Sequence, residues 1–181
     1  RILADPRSQQ MRRELTVERQ GIDEKARTVE LAFASAEPVD RFYGKEVLEI
    51  SDRAIDFSRL RNGAALLLDH DWTRQIGVVL KAWVAGGKAR ATVKLSRSAL
   101  GEEIWTDILD EVRSQISVGY IVNRMEPVTD QAGGDAGAAD GETFRVTAWC
   151  PFEISVVAVA ADYLGAGIGR SKSKDPDARA G

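Results

Sequence analysis

Ala64-Ala65-Leu66-Leu67-Leu68-Asp69-His70-Asp71-Trp72 is an apolar run that ends in the single histidine of the chain. The run is too short to cross a membrane and reads as a buried strand. It delivers His70, flanked by Asp69 and Asp71, to the end of a rigid element. Imidazole is the side chain whose ordinary pKa suits proton transfer near neutrality. A histidine that merely caps a strand would look the same in isolation. Two later stretches change the balance: Gln115-Ile116-Ser117-Val118-Gly119-Tyr120 and Pro151-Phe152-Glu153-Ile154-Ser155-Val156-Val157. They place a serine and a carboxylate within strand patterns.

Outward from these stretches the chain reads as many short strands with one principal helix. Residues 1–13 are polar and are expected to form a loose arm. Leu15 and Val17 alternate with polar neighbours as a strand does, Gly21-Ile22-Asp23 signals a turn, and Thr28 to Ala34 answers as a partner strand. Pro38 to Ile50 predicts an extended segment with an irregular middle, and Ser51 to Ile55 a single helical turn. Strands at 76–84 and 88–95 flank Gly86-Gly87, a strong hairpin signal. From Arg97 to Arg113 the apolar residues Leu100, Ile104, Ile108 and Val112 fall four apart, which predicts an amphipathic helix capped by Ser96 or Ser98. Strand character returns at 115–125, 143–149 and 152–160, around a small-residue loop at 130–141. Residues 163–181 are rich in Gly, Ser and Lys and read as a tail or linker. The pattern predicts an antiparallel barrel or sandwich with helical decoration.

The 181 residues suit one domain, and 44% hydrophobic with 29% charged residues is ordinary for a globular chain. A net charge of −3 gives no general electrostatic reason to bind nucleic acid or an anionic membrane. The lone Cys150 excludes an internal disulfide. A chain that begins at Arg1 is expected to be a piece of something longer.

A nucleophilic serine needs a base within hydrogen-bond reach, and His70 is the one imidazole available. Ser117 beside Gly119 leaves its hydroxyl unshielded, although a neutral strand serine fits the same pattern. Glu153 stands in an otherwise apolar run, where a carboxylate is costly unless paired, and orienting an imidazole would supply the partner. Ser155, on the same strand face, is a rival nucleophile, and Asp69 and Asp71 are rival orienting groups. Asp69-His70-Asp71 also has the residue types of a metal site, but no cluster of His or Cys ligands accompanies it. Backbone amides near Gly119, or an arginine such as Arg124, are candidates for stabilising an oxyanion. Trp72, Trp83, Trp105 and Trp149 are expected in the core or at its rim.

In this order the pieces Leu66–Asp71, Ile76–Val79, a two-strand unit, a helix, Gln115–Tyr120 and Phe152–Val157 resemble the prohead (procapsid) maturation proteases of tailed phages. The resemblance covers roughly residues 14–162 and implies a mainly β, α+β barrel like that of the herpesvirus assemblin proteases. It implies a serine endopeptidase that digests scaffold or capsid precursor inside the assembling prohead in the host cytoplasm. His70 would be the base, Ser117 the nucleophile and Glu153 the third member, with no cofactor. Capsid or scaffold protein would be the substrate, and self-cleavage and a homo-oligomer are further expectations. The family is sometimes fused ahead of a capsid protein, and residues 163–181 are similar to such a junction. Ala160-Ala161-Asp162 departs from the family, where a proline often precedes the alanine. Two other readings stay open: a catalytically silent assembly module of the same fold, and a peptide-binding β-barrel.

Overall fold

The computed structural model describes residues 10–128 and 142–158, with residues 10–20 described by their backbone alone. The loop expected at 130–141 and the tail expected at 163–181 lie outside the described residues. Nine strands and two helices follow in the order β1 (Gln10–Asp23), β2 (Thr28–Ser35), β3 (Val39–Arg41), β4 (Gly44–Leu48), α1 (Ser58–Arg61), β5 (Ala65–Leu68), β6 (Asp71–Ala85), β7 (Lys88–Leu95), α2 (Ala99–Leu109), β8 (Gln115–Pro127) and β9 (Thr143–Val157). One sheet holds all nine, ordered β3-β4-β9-β5-β6-β7-β2-β1-β8, and β8 also pairs with β9. That last pairing curls the sheet round on itself, so seven strands form a ring and β3–β4 extend it beyond β9. A ring of strands removes the exposed edges an open sheet would present.

The mainly β architecture expected from the alternating pattern is present. The sheet is not purely antiparallel, because β9 runs parallel to both β4 and β5. The core is built from the inward-facing set: Leu31 and Phe33 on β2, Leu66 and Leu68 on β5, Ile76 on β6, Val93 and Leu95 on β7, Ile116, Val118 and Tyr120 on β8, Ile154 and Val156 on β9. Helix α2 adds Ile104, Trp105 and Ile108 to the same cluster.

Several local expectations are corrected. β1 begins at Gln10, inside the expected arm, because residues 10–16 pair with 115–121 of β8. Gly21-Ile22-Asp23 stays in the strand, and the turn falls at residues 24–27. Asp23 Oδ1 accepts the Ala26 N–H there, and Arg27 takes the left-handed φ of 57°. The 38–50 segment is a β3–β4 hairpin. Ser51 closes a turn by accepting the Ala54 N–H, while the short helix forms later, at Ser58–Arg61. Helix α2 spans Ala99–Leu109 rather than 97–113. Ser98 caps it by accepting the Gly101 N–H, and beyond its end Glu111 turns left-handed at φ 61° and Val112 is exposed. The strands expected at 143–149 and 152–160 are one strand, β9. It absorbs Pro151 through a bulge: Gly119 pairs with Glu153 and Tyr120 with Pro151, leaving Phe152 extra.

Candidate active site

Leu66–Leu68 of β5 lie between β6 and the end of β9. Between β5 and β6 the chain reverses in two residues, Asp69 (φ 52°) and His70 (φ 58°), both left-handed. Such two-residue turns suit the twist of adjacent strands but ask an L-residue for an unfavourable backbone. Asp69 secures the turn at both ends: its N–H donates to the Val156 carbonyl and its Oδ1 accepts the Ala158 N–H. The imidazole is thereby placed over the seam where β8 meets β9.

On that seam Ser117 and Ser155 are direct partners, and Gly119 faces Glu153. Ile116 and Val118 belong to the core, so Ser117 and Gly119 take the opposite face of β8. His70 Nδ1 lies 2.6 Å from Glu153 Oε1, and His70 Nε2 lies 2.7 Å from Ser117 Oγ. A carboxylate can only accept, so Nδ1 carries the proton and Nε2 is left to accept from the Ser117 hydroxyl. The three side chains predicted to act together are therefore hydrogen-bonded in series.

Ser155 lies away from the imidazole Nε2 and is bonded on both sides. Its hydroxyl donates to Glu153 Oε2 at 2.7 Å, and its oxygen accepts the His70 backbone N–H at 3.2 Å. It holds both the carboxylate and the turn that carries the imidazole. The sequence carries a signal for this in the spacing of Glu153 and Ser155, two apart on one strand face. The rival orienting groups are occupied elsewhere: Asp69 at Ala158, and Asp71 with the hydroxyl and N–H of Thr73. Those two bonds from Thr73 hold the Asp71 carboxyl below its ordinary range. Both imidazole nitrogens are bonded within the series. Among the described residues no three His, Cys, Asp or Glu side chains are grouped to hold a metal ion.

Gly119 has a steric reason to be glycine. A Cβ there would overlap Glu153 Oε1 and sit 2.8 Å from Phe152 Cζ. The Phe152 ring, swung out by the bulge, tilts against Trp72 with centroids 6.3 Å apart, and Trp72 is 68% exposed. Trp72 is thus a rim residue, Trp83 is half-buried, and Trp105 and Trp149 are core. This aromatic lip beside the three side chains was not read from the sequence as part of the site. Ser117 itself is fully buried. Any molecule approaching its Oγ must first displace neighbouring groups. Arg124 is exposed and pairs with Ala148, seven residues along β8 from Ser117, out of reach as an oxyanion donor. Cys150 is buried and its thiol is pushed up by burial and by the Asp56 charge, so it is no rival nucleophile.

A seam-closed β-barrel carrying a hydrogen-bonded Ser–His–Glu series has the residue types and geometry of a serine hydrolase site. No protein-family model matches the chain. The chain is similar in fold to the bacteriophage T4 capsid assembly protease, gp21, with a TM-score of 0.54 and 13% identity, over 82% of this chain and 97% of that one. In sequence it is 47% identical over 145 residues to a protein of Halomonas phage phiHAP-1 named "Major capsid protein". That match takes in 78% of this chain, which spans only 23% of the relative's length.

Proposed function

We propose that this chain is a serine endopeptidase that processes capsid or scaffold precursor during phage prohead maturation. The observation that carries the reading is the unbroken series Glu153–His70–Ser117. In this mechanism His70 Nε2 takes the Ser117 proton as Oγ attacks the scissile carbonyl carbon. The tetrahedral species collapses, the imidazolium gives its proton to the leaving amine, and an acyl-Ser117 ester remains. Water then attacks that ester with His70 again as base, releasing the acid and restoring the hydroxyl. Glu153 keeps the ring in the required tautomer and stabilises the imidazolium, and Ser155 keeps Glu153 in place.

The fold shared with a capsid assembly protease and the sequence shared with a phage capsid protein support the setting. On this reading residues 14–162 are the protease domain, with the barrel of assemblin type, and residues 163–181 lead toward a capsid segment and are a site of self-cleavage. The enzyme works inside the assembling capsid in the host cell, on capsid-related polypeptide. A second reading, an inactive assembly module, is favoured by the relative's name. The two separate cleanly in a precursor that extends beyond this chain. Intact-mass analysis is expected to show trimming by wild type and none with Ser117→Ala or His70→Ala. Trimming that survives both substitutions would sink the protease assignment.

A further inference from the structure

The β1–β2 turn, the end of β7 and the start of α2 meet at the same end of the barrel as the β5–β6 turn that carries His70. Between them lies a cleft of about 480 Å³ whose charged lining is Lys25, Arg27, Lys94 and Arg97, with no carboxylate among its lining residues. Arg27 is committed: its guanidinium pairs with Glu102, donates to the Ser96 carbonyl and stacks 5.1 Å from the Trp105 ring centroid. That arginine fixes the shape of the cleft. Lys25, Lys94 and Arg97 are exposed and have no ion-pair partner among the described residues. Three uncompensated cations around one concavity stand out in a chain whose net charge is −3. The positive end of α2 opens beside them and adds to the same field. Leu80, half-exposed, gives the cleft an apolar side.

A second cleft of about 380 Å³ shares Lys94, Leu95 and Ser96 with the first and runs along β6 to Gln75. Gln75, on β6, lies five residues beyond His70 of the preceding turn, roughly 16 Å along the chain at about 3.3 Å per residue. The two clefts therefore form a track that begins at Gln75, on the strand that follows the His70 turn, and ends among the cations.

We propose that this track docks an acidic stretch of the polypeptide substrate, at a distance from the scissile bond. The word substrate rests on the protease reading above; the binding itself does not. Negative charge is what three cations and a helix N-terminus select, and two clefts continuous through Lys94, Leu95 and Ser96 suit an extended chain over a small ion. The lining carries no aromatic side chain on which a base could stack, which disfavours a single-stranded nucleic acid as occupant.

Fluorescence anisotropy tests it with a labelled Glu-rich peptide and the same peptide with Gln for Glu, on Ser117→Ala protein so that nothing is cleaved. The Glu peptide is expected to bind, more weakly as salt rises, and the Gln peptide about tenfold or more weakly. Lys94→Glu with Arg97→Glu should abolish the preference, and Lys94→Gln with Arg97→Gln should reduce it. In protein with Ser117 intact, the charge reversal should raise KM for acidic substrates and leave kcat unchanged. Equal binding of both peptides, binding unaffected by either double variant, or preference for a single-stranded oligonucleotide would overturn the proposal. A failure of hydrolysis with binding intact would instead count against the protease reading.

Discussion

Ser155 donates to the one Glu153 oxygen that His70 leaves free, and it receives the backbone N–H of His70 itself. Hydrogen bonds to charged groups contribute roughly 1.5–3 kcal/mol. Ser155→Ala is therefore expected to lower kcat about 10- to 100-fold with KM little changed, at ordinary expression and fold. Ser117 would remain the residue labelled by a fluorophosphonate. Labelling that moved to Ser155 would reverse the roles assigned to the two serines. Gly119→Ala should be more damaging than its size suggests, since the added methyl displaces both Glu153 and the Phe152 ring. Overpacking of this kind costs about 1–3 kcal/mol, and a lower urea midpoint together with lost activity would show it. At this scale the sequence was readable where chemistry is scarce. One histidine and one buried-looking glutamate left few choices, and both rival aspartates were handicapped by adjacency. The two bonds of Ser155 were not legible because strand periodicity shows which face a side chain takes but not whose hydrogen bond it accepts.

The β3–β4 hairpin is held to the barrel by a buried carboxylate. Glu46 accepts from Tyr43 at 2.6 Å and from Tyr120 at 2.5 Å, and Arg41 donates to the Tyr120 hydroxyl at 2.9 Å. Burial and the bond to Glu46 push the Tyr43 phenol far above its ordinary value. A raised folded-state pKa contributes stability that is whole below the unfolded value and is lost as pH climbs past it. Stability is thus expected to fall as pH rises beyond about 10, where an unfolded tyrosine ionises. Urea midpoints on either side of that pH, compared with Tyr43→Phe, would check it; an identical slope in the variant would clear Tyr43. Turn chemistry explains what the sequence showed of these elements and what it hid. Gly86 and Gly87 form the expected hairpin with φ of 59° and 70°. The β1–β2 turn was misplaced because its left-handed position is filled by Arg27 and not by the nearby glycine. β9 looked like two strands because Pro151 reads as a breaker, and only the bulge at Phe152 reconciles it with the ladder.

Across the whole molecule, Ser117 and Glu153, the proposed nucleophile and acid, sit on β8 and β9, the two strands whose pairing completes the ring. Activity and global structure are therefore expected to disappear together in urea. Loss of activity well before the barrel melts would locate the weak point in the β5–β6 turn instead. The complete burial of Ser117 gives a second expectation at this scale. Inactivation by a small electrophile should be slow and should saturate at the rate of local opening, falling to the rate of global unfolding only if the seam itself must part. No composition or periodicity announces such closure, because a ring of seven strands and an open sheet share the same alternation.

Asp69 and His70 hold left-handed backbone without being glycine, an arrangement that costs on the order of 1 kcal/mol or more per residue. On the proposed protease reading, selection for cleavage and selection for durability therefore pull against each other at one tight turn. A version relieved of its chemistry (His70→Gly, Ser117→Ala and Glu153→Met together) should melt a few degrees higher than the parent. In a lineage that no longer needed to cut, decay would be expected to begin at position 70, with Gly or Asn arriving before the barrel changed at all.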